Sequence, residues 1–227
     1  MSKYTFNITR DSLWKGCVLR SIAYAIGTAQ YPEFSNESSW DGFNYSMQDS
    51  TGARGTITFH PDYCIVAFQD LHSERCQALE EATHYIRDAS EALIQVAEKE
   101  AFQYLLDEVE GETIPVVTTA FWIEDDKAYS MDTYEDFEEH SGSLADILLV
   151  DFETAKEVLE EEFEFEEEQM HVLESLYERK ISYPNERIIL SKREIAMLGA
   201  EDPEGLEESR ECFEEMNIYW GTEEDDE

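Results

Sequence analysis

Three groups of side chains in this 227-residue chain could do chemistry. The first is a thiol with a distant imidazole. Cys17 stands in "WKGCVLRS", near the start of a predicted helix, with Lys15 and Arg20 close by. A helix N-terminus and neighbouring cations favour the thiolate, which is the nucleophilic form. "FHPD" supplies His60 as a base, with Asp62 two residues on, so a Cys–His hydrolase is one reading. The bland reading places Cys17 among the small apolar residues of that helix's buried side.

The second group is Cys64, His72, Cys76 and His84, separated by gaps of 8, 4 and 8. Structural zinc sites pair their ligands two to four residues apart. Only His72 and Cys76 approach that spacing, so no metal site is expected. "EDDKAYSMDTYED" offers carboxylates but lacks the central glycine of a calcium loop. No phosphate-binding loop, dinucleotide fingerprint, nucleophile elbow or HExxH pair occurs, and no cofactor is expected.

The third group is acidic. "VLEEEFEFEEEQ", residues 158–169, holds seven glutamates, and Lys156 is the only basic residue between 150 and 169. On one helix, residues four apart are about 6 Å apart along the axis. Each strand of duplex DNA carries a charge about every 3.4 Å. Glu157, Glu160, Glu161, Glu164, Glu167 and Glu168 then form a stripe of nearly phosphate-like density, suited to a cationic surface. Like charges at i,i+4 oppose helix formation, so a merely solvated face leaves the missing lysines unexplained. Phe165 falls off the apolar face of this helix. It marks either an irregularity or an aromatic offered to a partner.

The whole chain shares this bias. There are 54 acidic and 16 basic residues, a net charge of −38. Residues 1–100 hold 14 acidic and 8 basic side chains, and the remaining 127 hold 40 and 8. Such asymmetry points to a charge-selected partner rather than general solubility. An acidic surface repels nucleic acid and anionic lipid directly. A basic protein, such as a nuclease or another nucleic-acid-binding enzyme, is the expected partner. Hydrophobic content of 42% argues against wholesale disorder. No apolar run reaches the length of a membrane span, the first residues lack a secretory h-region, and the four cysteines form no CxxC pair. A cytoplasmic protein with reduced thiols is expected.

The elements that must position these groups read as an α+β fold. "KYTFNIT" alternates as a strand and leads into a helix closed by Gly27. "GTITF" with "YCIVAF", and "TIPVVTTAFWIE" with "KAYSM", read as hairpins. Apolar residues at 79, 82, 86, 89, 93 and 96 predict one long helix. Ala155, Leu159, Phe163, Met170, Leu173 and Tyr177 predict another, from about 152 to 180. Ser191 with Glu194 reads as a capping box, and Asp202 before Pro203 as a helix start. The expected order is hairpins packed with amphipathic helices over 1–110, then a mainly helical acidic region over 111–220, separate or continuous with the first. A disordered acidic tail is expected over 221–227.

"WDGFNYSMQDSTGARGTITF" resembles the immunity proteins of bacterial polymorphic-toxin systems over about 30 residues, 40–68. That resemblance implies a small cytoplasmic protein that binds and silences a cognate toxin, many of which are basic nucleases. The composition is also similar to that of the DNA-mimic proteins with which phages disable defence enzymes. Three functions stay open: an acidic inhibitor, a Cys17–His60 hydrolase, and an acidic structural or adaptor protein.

Overall fold

The alternating runs become strands of one large antiparallel sheet. The computed structural model describes residues 3–200 and 203–221, so most of the expected tail, and Asp202, lie outside the described residues. In chain order the first elements are β1 (Tyr4–Phe6), α1 (Arg10–Thr28), β2 (Ser38–Asp41), β3 (Asn44–Gln48), β4 (Ala53–Thr58) and β5 (Cys64–Asp70). Next come α2 (Arg75–Ala78), α3 (Glu91–Lys99), β6 (Leu106–Val109), β7 (Glu112–Pro115), β8 (Thr119–Glu124) and β9 (Lys127–Ser130). Then follow α4 (Tyr134–His140), α5 (Asp146–Leu149), α6 (Phe152–Phe163) and α7 (Glu167–Ser182). The last are β10 (Ile188–Leu190), α8 (Lys192–Ala196), α9 (Pro203–Glu215) and β11 (Ile218–Trp220). The fold class is α+β, and no helix of the described residues is long and apolar enough to cross a membrane.

The chain divides into two compact units, and not at residue 110. One comprises Met1–Leu13 and Trp40–Leu149; the other comprises Trp14–Ser39 and Val150–Glu227. Residues 111–149 group with the first unit because β8 pairs with β5, giving the strand order β1-β9-β8-β5-β4-β3-β2. Every residue of β5 is buried, which is why "CIVAFQD" is apolar almost throughout instead of alternating. Ile65, Ala67, Ala120 and Trp122 share one core with Ile86, Leu93 and Phe102. On the other face Phe137 of α4 meets Phe6, Phe68 and Phe121 edge-on, with centroids 5.3–5.8 Å apart.

Both expected hairpins form, as β4–β5 and β8–β9. The second turns through Asp125 and Asp126 with φ of 51° and 59°, the conformation of a two-residue type I′ turn. "TIPVV" does not join β8, however: Ile114 and Pro115 end β7, which pairs with β6 instead. The long helix expected from Leu79 to Val96 is also interrupted. A 3₁₀ turn covers Ala82–Ile86, and Ser90 caps a separate α3 by accepting the Leu93 N–H at 3.3 Å.

In the second unit the capping box at Ser191 and Glu194 is present, and Gly199 takes the left-handed conformation (φ 76°) expected after a helix. Gly27 does not stop α1, which runs on to Thr28. Its role is close packing: a Cβ there would sit 2.5 Å from the Phe163 ring.

Candidate functional site

The acidic stretch is ordered, but as two helices. Asp151 starts α6 by accepting the N–H groups of Thr154 and Glu153 at 3.1 Å and the Thr154 hydroxyl at 3.0 Å; these bonds, those from Thr154 first, hold its carboxyl below the usual carboxylate range. Helix α6 ends where Glu164 adopts φ 52°, ψ 40°. Gln169 then opens α7 by accepting the Glu166 N–H at 3.0 Å.

A straight helix would separate Phe152 from Tyr177 by about 38 Å, at 1.5 Å per residue. Instead their rings stack at 4.7 Å and 11°, so α6 and α7 form an antiparallel hairpin with a three-residue connection. Lys156 ties the two helices together, donating at 2.9 Å to Glu153 on its own helix and at 2.9 Å to Glu174 across the hairpin. Those two hydrogen bonds, Glu153 first, hold the ammonium above the ordinary lysine range.

The single stripe is therefore corrected to two rows. Glu157, Glu160 and Glu161 lie on α6, Glu164 lies in the connection, and Glu167 and Glu168 lie on the first turn of α7. All six are exposed, and none has a basic partner among the described residues. At the N-terminus of α7 the carboxylates suit the helix dipole, but Glu160 and Glu161 face the negative end of α6.

Phe165 is not offered to solvent. It is 6% exposed and stacks on Phe163 at 5.1 Å and 13°. Phe163 in turn meets Tyr24 at 4.9 Å and Phe34 at 5.4 Å. Glu162 points to the same cluster, where its carboxylate accepts the Tyr24 hydroxyl at 3.2 Å. Burial chiefly raises that phenol above its ordinary range, and Glu162 adds to the effect. The aromatic residues fix the hairpin from within and leave its charges outside.

Cys17 lies in the third turn of α1, fully buried. The helix dipole acts within the first turn, so it does not reach Cys17, and the thiol is closed off from solvent. His60 belongs to the other compact unit. It stacks on Tyr63 at 5.7 Å, and its Nδ1 accepts the Asp62 N–H at 3.2 Å, as a turn residue does. Cys64 is buried in β5, where desolvation pushes its thiol up to about 12. Among the described residues no three His, Cys, Asp or Glu side chains gather as a metal site.

One cluster was invisible in the sequence. Ser73 Oγ lies 2.8 Å from His140 Nδ1, and both residues are buried. Arg75 beside them donates to both oxygens of Asp132, at 2.7 and 3.1 Å, and to the Thr118 carbonyl at 2.8 Å. A Ser–His contact is the start of a nucleophile–base pair. Here His140 has no carboxylate partner among the described residues, and Ser73 Oγ also accepts the Arg75 N–H at 3.2 Å. The 67-residue separation in the chain carries no local signature; the fold of the first unit brings the two together. A scan of protein-family models, a search of curated proteins and a search of solved structures each return no match.

Proposed function

We propose that the chain is a non-enzymatic acidic inhibitor that binds and occludes a positively charged surface of another protein, with the α6–α7 hairpin as its contact element. The observation that carries this reading is the row of exposed, unpaired carboxylates on a hairpin whose aromatic residues are turned inward. The six glutamates repel one another, and interleaved lysines would remove that repulsion. Their retention is explained when a cationic partner supplies the missing charge. The resulting field speeds encounter with a basic groove and fades as salt rises.

The chemistry suits a nuclease or other nucleic-acid-binding enzyme, whose phosphate-binding groove accepts a charged helix in place of a duplex. In an immunity protein or a phage anti-defence protein the same surface would silence such an enzyme inside a cell. Two short rows joined by a bend make a compact plug for a groove, in place of a long straight mimic of one strand.

The test is capture from host lysate at low and moderate salt. A basic nucleic-acid-binding protein should be retained at low salt and lost at moderate salt. Reversing Glu160, Glu161, Glu164, Glu167 and Glu168 to Lys should abolish capture while circular dichroism shows an intact fold. Capture that survives the reversal sinks the hairpin reading.

A further inference from the structure

The first compact unit contains a cleft of about 460 Å³, within the range of small-molecule sites. Its lining comes from the segment after α2, from α3, from the 3₁₀ turn Ala101–Leu105 and from β7. The depth is apolar: Phe102 is buried, and Ile114 and Pro115 are half-buried. The mouth is acidic: Glu80, Glu81 and Glu98 are all exposed, and no lining residue is basic.

Leu79 stands at the edge of this cleft, 42% exposed, with φ 47° and ψ 46°. That conformation is the C-cap of α2, where the Leu79 N–H donates to the Arg75 carbonyl at 3.3 Å, and a residue with a Cβ adopts it less readily than glycine. The cap leaves an exposed leucine side chain beside the cleft, where an apolar body can pack against it.

We infer that this cleft binds a small organic cation, an amine or guanidine on an apolar body. The body fills the space over Phe102, Ile114 and Pro115 beneath Leu79, and the charged head reaches Glu80, Glu81 and Glu98. A neutral apolar molecule would leave the acidic mouth without use, and an anion would be repelled by all three carboxylates. The cleft is built within one unit and stands apart from the hairpin reading.

The test uses the full chain and two probes with one body and opposite charge, phenylbutylamine and phenylbutyrate, followed by amide chemical shifts. The amine should saturate with shifts confined to Ala82, Thr83, Phe102 and Ile114 and their neighbours, and phenylbutyrate should bind at least about tenfold more weakly. Methylammonium, which lacks the body, should give no localised shifts. Changing Glu80, Glu81 and Glu98 together to Gln should weaken the amine by about tenfold or more, the worth of one hydrogen bond to a charged group. Leu79→Gly should melt no lower than the wild type, because glycine adopts that cap conformation more readily, yet lose amine affinity severalfold. Equal binding of both probes, shifts scattered over the acidic surface, or amine binding unchanged in either variant would overturn the proposal.

Discussion

Glu157→Gln separates electrostatic strain in the hairpin from its packing. On α6, Glu157 is three or four residues from Glu153, Glu160 and Glu161, so it takes part in three like-charge pairs. Each such pair opposes the helix by about 0.2–0.5 kcal/mol at low salt. Neutralising this one residue should therefore stabilise the fold by about 0.6–1.5 kcal/mol, a rise in Tm of roughly 1–6 °C for a chain of this size. Glu157 is exposed, so little packing loss opposes the gain. Carboxylates one helical turn apart are separated by about 6 Å, beyond the Debye length of about 3 Å at 1 M salt, so the gain should vanish there. Thermal unfolding followed at 222 nm in 10 mM and 1 M NaCl measures both limbs. The companion measurement is capture of the cationic partner, which should weaken. A Tm unchanged at low salt, or raised equally at both, would falsify the claim that uncompensated repulsion is stored in this helix.

Gly27→Ala should cost about 1–3 kcal/mol in urea unfolding, because the added methyl meets the Phe163 ring, which Tyr24, Phe34 and Phe165 prevent from moving. Phe165→Ala should lose about 3–5 kcal/mol as a buried aromatic; unchanged stability with lost partner binding would mean that the ring serves the partner instead. Asp151→Asn keeps the helix cap but removes a titrating group. Its folded carboxyl is lowered by hydrogen bonds from Thr154 and Glu153, so its stabilisation is full above the ordinary Asp value and is lost as pH falls through the lowered one. The variant should match the wild type at neutral pH and show a shallower loss of stability below about pH 4. An identical acid limb in the two chains argues that Asp151 is uncoupled from folding.

Much of the sheet was legible because its signals are local. Alternation marks β1, buried runs mark β5 and β8, and Asp125–Asp126 can hardly be anything but a tight turn from β8 into β9. The helical breaks were not legible, for a definite reason. The positions 155, 159, 163, 170, 173 and 177 satisfy one helix as well as two antiparallel ones, because a hairpin buries the same stripe against itself. The break falls at Glu164, which takes a left-handed conformation that a glutamate rarely adopts and no pattern announces. Phe165 was the one local sign, and it was ambiguous until its ring was placed on Phe163. The Ser73–His140 and Arg75–Asp132 contacts had no sign at all, since they span 67 and 57 residues.

The hairpin also shows why net charge alone is a poor account of this chain. Glutamates on a flexible segment would spread apart and must be gathered when a partner arrives, which costs ordering entropy at that moment. Here the gathering is done in advance by Phe163 and Phe165, by the Lys156 bridge and by the absence of a side chain at Gly27. The repulsion among the carboxylates is opposed by burial of the rings beneath them, so folding holds the charges close and binding need not. Two consequences separate this from a simple acidic coat. A variant that loosens the ring cluster without touching a carboxylate, such as Gly27→Ala, should weaken partner capture even at temperatures where the chain remains folded. A variant that removes an equal number of acidic residues from α9 should weaken capture less than one that removes them from the hairpin, because position, and not the sum of −38, determines the contact.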